Sequence, residues 1–139
     1  MTVKQYVAYQ NQGSECLPRI ELLLTLFEGT MQKLEQTREA LARNDRAAAQ
    51  PLLLRAQMLV GGLAAGVVPD SGEMSENCLR LYEFALNRLG SGTPDAVDDV
   101  LRVLRPLHEG FLGIRDEAVQ LERAGEIPVV SNSAFEATV

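Results

Sequence analysis

The sequence predicts an all-α protein, an antiparallel up-down four-helix bundle preceded by a short N-terminal cap segment. Three observations predict it. Apolar side chains recur every three to four residues in four separate long stretches, the period of an amphipathic helix. Short connections rich in Pro, Gly, Asn and Asp join the stretches, which makes consecutive helices antiparallel neighbours. Aromatics make up only 5% of the chain, with no Trp, and no stretch alternates with period two between turn signals. Val129-Val130 is too short to change the class.

Residues 1–16 form the predicted cap segment. Tyr6, Val7 and Tyr9 stand among polar residues with no strong helix start, and the segment is too short to fold alone. Residues 17–125 form the bundle. Pro18 fits the first turn of a helix that runs to about Ala42, because its missing N–H has no partner there in any case. Ile20, Leu23, Leu24, Phe27, Met31 and Leu34 make one continuous stripe on it, whereas Leu22 and Leu26 fall on a second face. Two apolar faces exceed the stripe an ordinary bundle helix buries, so this helix is either central to the core or reserved for a partner.

Asn44 or Asp45 is placed to cap the second helix. Leu52, Ala56, Leu59 and Leu63 form its main stripe and Leu53, Val60 and Ala64 a neighbouring one. Pro51 predicts a kink or a fresh start, and Gly61, Gly62 and Gly66 weaken the C-terminal end before a loop at Val67–Gly72. The third helix is predicted over Glu73 to Leu89, with Cys78, Tyr82, Ala85 and Leu89 on one face and Leu79 and Leu86 beside them; Gly90 stops it. Thr93-Pro94-Asp95 starts the fourth, with Thr as cap, Pro in the first position and Asp favouring the helix dipole. Its stripe of Val97, Val100, Leu101, Leu104, Leu107, Phe111, Ile114, Ala118 and Leu121 predicts a single long helix kinked at Pro106 and ended by Gly125 and Pro128. Residues 126–139 have no period and are predicted to be a flexible tail.

Charge and motifs exclude much. A net charge of −6 and a pI near 4.8 leave no electrostatic footprint for nucleic acid. Such a body would be repelled by anionic lipid, and the longest uncharged apolar run, Met58 to Val68, is too short to span a bilayer. Cys16 and Cys78 match no metal or redox spacing, and the N-terminus has no apolar signal region, so a reducing cytoplasm is expected. His108 is the lone histidine and no Glu-x-x-His pair is present, which removes the di-iron bundle. Gly61-Gly62 and Gly90-Ser91-Gly92 lack a Walker lysine and a preceding strand. No catalytic residue, metal or cofactor is expected, and binding is the function that remains.

The order of motifs resembles one family. Tyr9-Gln10 precedes the bundle. Leu22-Leu23-Leu24-Thr25-Leu26-Phe27-Glu28-Gly29 resembles the L-x-L-M-L-Y-x-G run of the FliS family of flagellar secretion chaperones, with Phe27 at a common Tyr position. Asn44-Asp45 is similar to the family's N-D turn, Leu53-Leu54-Arg55-Ala56-Gln57 to L-[IL]-K-A-Q, and Leu81-Tyr82-Glu83-Phe84 with Asn87-Arg88-Leu89 to L-Y-[DE]-[YF]…R-R-L. The resemblance implies a cytoplasmic chaperone that binds the disordered C-terminal segment of flagellin, blocks premature polymerisation and holds the subunit for the flagellar export apparatus. Together with the surplus apolar faces it nominates Tyr6, Tyr9, Leu22, Leu26, Leu53, Gln57, Val60, Ala64, Leu79, Tyr82 and Leu86 as partner-binding residues. The competing expectation is a structural or regulatory bundle that self-associates through the same faces. Tyr6, Val7 and Tyr9 are expected to lie in part of the partner groove as a displaceable cap.

Overall fold

A computed structural model of the chain describes residues 19–67 and 72–125. The predicted cap segment, with Tyr6 and Tyr9, and the predicted tail lie outside the described residues. Within them every regular element is an α-helix: α1 (Arg19–Ala42), α2 (Arg46–Ala65), α3 (Glu73–Leu89), α4 (Pro94–Gly113) and α5 (Arg115–Arg123). The first four close into a ring in chain order. α1 packs on α2 and α4, and α3 packs on α2 and α4, while the diagonal pairs make no backbone contact. α5 folds back onto α1 and α4. Ion pairs Arg38–Asp98, Arg105–Glu35 and Arg115–Glu21 link α1 to α4 and α5 in reverse sequence order, so α1 and α4 run in opposite senses.

The Asn44-Asp45 pair shows how local chemistry sets this path. Asn44 adopts a left-handed φ of 58°, which Asn tolerates better than most residues. Its amide donates to the Leu41 carbonyl and the Asp45 amide to the Ala40 carbonyl, at 3.0 and 2.9 Å, closing the end of α1 in a Schellman arrangement. The Asp45 carboxylate then accepts from the Ala48 amide at 3.0 Å and starts α2. One dipeptide ends a helix and begins the next. Thr93 does the same for α4, accepting from the Ala96 amide at 3.2 Å, with Pro94 in the first position.

On α1, α3 and α4 the core is drawn from the predicted stripes. Ile20, Leu23, Leu24, Phe27 and Leu34 from α1, Cys78, Tyr82, Ala85 and Leu89 from α3, and Val97, Val100, Leu101, Leu104 and Phe111 from α4 are buried. Phe27 fills the centre, with ring centroids 6.3 Å from Tyr82, 5.6 Å from Phe111 and 6.0 Å from His108. Side chains thus bridge the α1–α3 diagonal where backbones do not.

Two expectations need correction. The fourth helix is not one rod to Leu121. It is continuous as α-helix through Pro106 and breaks at Ile114 instead, where φ and ψ are −110° and 5°. Pro106 lies on the exposed side of the helix and removes one backbone donor there. Pro51 is likewise exposed inside an unbroken α2. The break after Gly113 turns the chain so that Ala118 and Glu122 are buried against the bundle. The second correction is the phase of α2. Ala49, Leu53, Ala56, Val60, Leu63 and Val67 face the core, and Leu52 and Leu59 lie on its flank.

Candidate partner-binding surface

α2 is the helix with apolar residues on every side. A bundle helix ordinarily turns a charged face to water. Here the exposed positions are Arg46, Ala47, Gln50, Pro51, Leu54, Arg55, Met58, Gly62 and Ala65, and beyond Arg46 in the first turn the single charge is Arg55. Leu54 and Met58 are 58% and 60% exposed, and a Cβ added at Gly61 or Gly62 would meet nothing within 4 Å. Burying such a face contributes ~25 cal/mol for each Å² of apolar area covered, so a partner has a reason to cover it.

The flanks of α2 continue this surface into two valleys. Towards α1, a Cβ at Gly29 would lie 3.8 Å from Leu59 Cδ1. Leu22 and Leu26 precede Gly29 by two turns and one, on the same flank, and both are half-buried. On α3, Arg88 reaches Asp99 of α4 at 2.8 Å, which fixes the side of α3 that faces α4. Leu79 and Leu86, seven residues apart on the other side, therefore border α2. Gln57 and Ala64, also half-buried, lie on the flank of α2 opposite Leu59 and line the same α2–α3 valley.

Leu53, Val60 and Tyr82 stand apart from the rest of the nominated set. They are 8%, 0% and 0% exposed, so they form the floor beneath the α2–α3 valley and belong to the core. The remaining described nominees, Leu22, Leu26, Gln57, Ala64, Leu79 and Leu86, rim the two valleys on either side of α2. Leu54 and Met58, the most exposed large apolar residues of the helix, are not in the nominated set. Their signal was present in the sequence: a helix apolar all round, in which removing the core stripe still leaves a second one. Phe84 and Leu112, 43% and 42% exposed, lie on α3 and α4.

The electrostatics of the surface differ from the rest of the molecule. α2 contains no Asp or Glu. The α1–α4 edge is the polar opposite, where a cleft is lined by Arg38, Asp98, Arg102, Arg105 and Pro106. Its arginines are held by Asp98, Asp99 and Glu35 at 2.9 to 3.3 Å, an arrangement suited to water and not to an apolar segment.

Nothing on the surface performs bond chemistry. Burial pushes the Cys78 thiol up to about 11, against a hydrogen bond with Tyr82 that pulls it down, so it is no nucleophile at neutral pH. His108 packs on Phe27 and lies 3.7 Å from Glu28. No helix among the described residues is long and apolar enough to cross a membrane.

Comparison with known proteins places this architecture. The family model described as flagellar protein FliS matches residues 2–118. The chain is 30% identical over 119 residues to the flagellar secretion chaperone FliSB of Pseudomonas aeruginosa, covering 81% of this chain and 94% of that one. No solved structure matches significantly. The chain belongs to the FliS family of flagellar proteins.

Proposed function

We propose that the protein is a cytoplasmic, non-catalytic export chaperone that binds the disordered C-terminal segment of flagellin, prevents its premature polymerisation and holds it for secretion by the flagellar export apparatus. The observation that carries this reading is the apolar strip of α2, flanked by two half-buried valleys, in a family whose relative in Pseudomonas aeruginosa is named a flagellar secretion chaperone. A disordered client must bury a large apolar area to offset the free energy of its own ordering, which is ~2–5 kcal/mol or more. A long strip with valleys on both sides supplies area of that kind. The nominated residues Leu22, Leu26, Gln57, Ala64, Leu79 and Leu86 would contact the client directly. Leu53, Val60 and Tyr82 would support them from below. Tyr6 and Tyr9 are proposed to occupy part of the same surface in the free protein as a displaceable cap.

Calorimetry with a flagellin C-terminal peptide tests the reading. Binding with a negative heat-capacity change is expected. No binding at tens of micromolar, together with a protein that sediments as a stable oligomer, would instead favour the self-associating bundle.

A further inference from the structure

We propose that the outward face of α2 takes an amphipathic helix of the client whose apolar stripe is edged by carboxylates, and that Arg55 pairs with one of them. This rests on the client-binding reading and adds the chemistry of the segment that lies on α2.

Leu54 and Met58 stand one turn apart on the outward face and are both more than half exposed. Apolar anchors at that spacing are what an amphipathic helix meets when it lies along another. Arg55 shares the outward face, three residues before Met58 and seven before Gly62. Among the described residues its charge is also left without a partner, unlike that of most arginines on the bundle. Arg38, Arg80, Arg88, Arg102, Arg105 and Arg115 each have a carboxylate within 4.0 Å. Arg55 has no ion pair among the described residues; Arg46 in the first turn of the same helix, Arg43 in the turn before it and Arg123 on α5 have none either, but of these four Arg55 is the one beside Leu54 and Met58.

In a chain of net charge −6, α2 is the helix with arginines and no acid. A carboxylate-edged helix is therefore attracted to this face and repelled by most of the remaining surface, which fixes both place and register. A second copy of the chain fits poorly. A two-fold contact through this face would set α2 against α2, with arginines on both sides and no acid on either helix to pair them.

The test uses the whole chain, a flagellin C-terminal peptide, and calorimetry at low and high salt. Leu54, Arg55 and Met58 are all on the surface, so Arg55→Ala, Arg55→Glu and Met58→Asp should keep native helicity. The expected result is a loss of about tenfold for Arg55→Glu and less for Arg55→Ala at low salt, both shrinking at high salt. Met58→Asp weakens binding at every salt concentration. Amidating the peptide's acidic side chains costs affinity for the wild type and nothing for Arg55→Glu. The proposal is overturned, with the client reading intact, if the wild type binds the peptide but Arg55→Glu binds equally well. No binding by the wild type removes the client reading and the proposal with it. A dimer that Met58→Asp dissociates identifies a second copy as the occupant and also overturns it.

Discussion

The Glu122 carboxylate accepts from the backbone amide of Arg19 at 2.7 Å and from that of Ile20 at 3.3 Å. The first turn of α1 is thus capped by a side chain 103 residues away in sequence. Helix N-termini leave amides without intrahelical partners, and a carboxylate also favours the positive end of the helix dipole. The cap ties α5 to α1 as much as it ends a helix. Glu122→Ala should therefore destabilise the protein by ~1–2 kcal/mol. Glu122→Gln, which keeps an acceptor oxygen, should cost less. Urea unfolding followed by circular dichroism measures both, and equal stability of wild type and Glu122→Ala would refute the cap.

Charge placed on α2 should have opposite consequences on its two sides. Val60→Asp and Leu53→Asp put an unpaired carboxylate into the core, at several kcal/mol, and should unfold the bundle. Leu54→Asp should keep native helicity while weakening client binding, and Arg43→Ala should change little. Far-ultraviolet circular dichroism separates the two classes. A folded Val60→Asp would show that the assigned phase of α2 is wrong.

Gly61→Ala and Gly62→Ala should each raise stability. Both positions are helical, and the added methyl meets nothing within 4 Å. Glycine in a helix interior costs ~1 kcal/mol relative to alanine, partly through the freedom of the unfolded chain. Thermal denaturation reads the gain, and a fall in the midpoint would mean that these glycines serve the free fold.

Cys78 should make stability fall at high pH. Its thiol, ordinarily at 9.0, is pushed up to about 11 in the folded protein by burial. Between these values the native state holds a proton that the unfolded state has lost, so stability is undiminished below pH 9 and declines as the pH rises towards 11. The decline should be absent in Cys78→Ala, a difference of ~2–3 kcal/mol near pH 11. In a Cys16→Ser background, native protein at pH 8 should also resist thiol reagents until it unfolds.

Most of the bundle was legible because its signals are local. The three-to-four period located the helical stretches among the described residues, though it merged α4 with α5, and Asn44-Asp45, Gly90 and Thr93-Pro94 marked ends through short hydrogen bonds within the same turn. The phase of α2 was not legible, since a helix apolar on every side offers two stripes, and only packing against α1 and α3 decides that Leu53 and Val60 face inward. Pro106 does not end the helix, which runs on through it to Gly113. The break at Ile114 and the Glu122 cap depend on where α5 meets α1, a relationship between distant segments that no local pattern encodes. For the site, the valley rims followed from helical spacing, whereas Leu54 and Met58 required knowing which stripe the core had already taken.

The ring cluster around Phe27 has an optical consequence. The chain has no Trp and three tyrosines, Tyr6, Tyr9 and Tyr82. Tyr82 lies inside the core against Phe27, and the other two belong to the N-terminal segment proposed as the cap. Tyrosine emission excited near 280 nm therefore has two sources that a single substitution separates. In Tyr82→Phe, which keeps the ring and removes only the hydroxyl, all remaining tyrosine fluorescence reports the N-terminal segment. The molecule thus carries its own label for following that segment when a client without tyrosine or tryptophan is added.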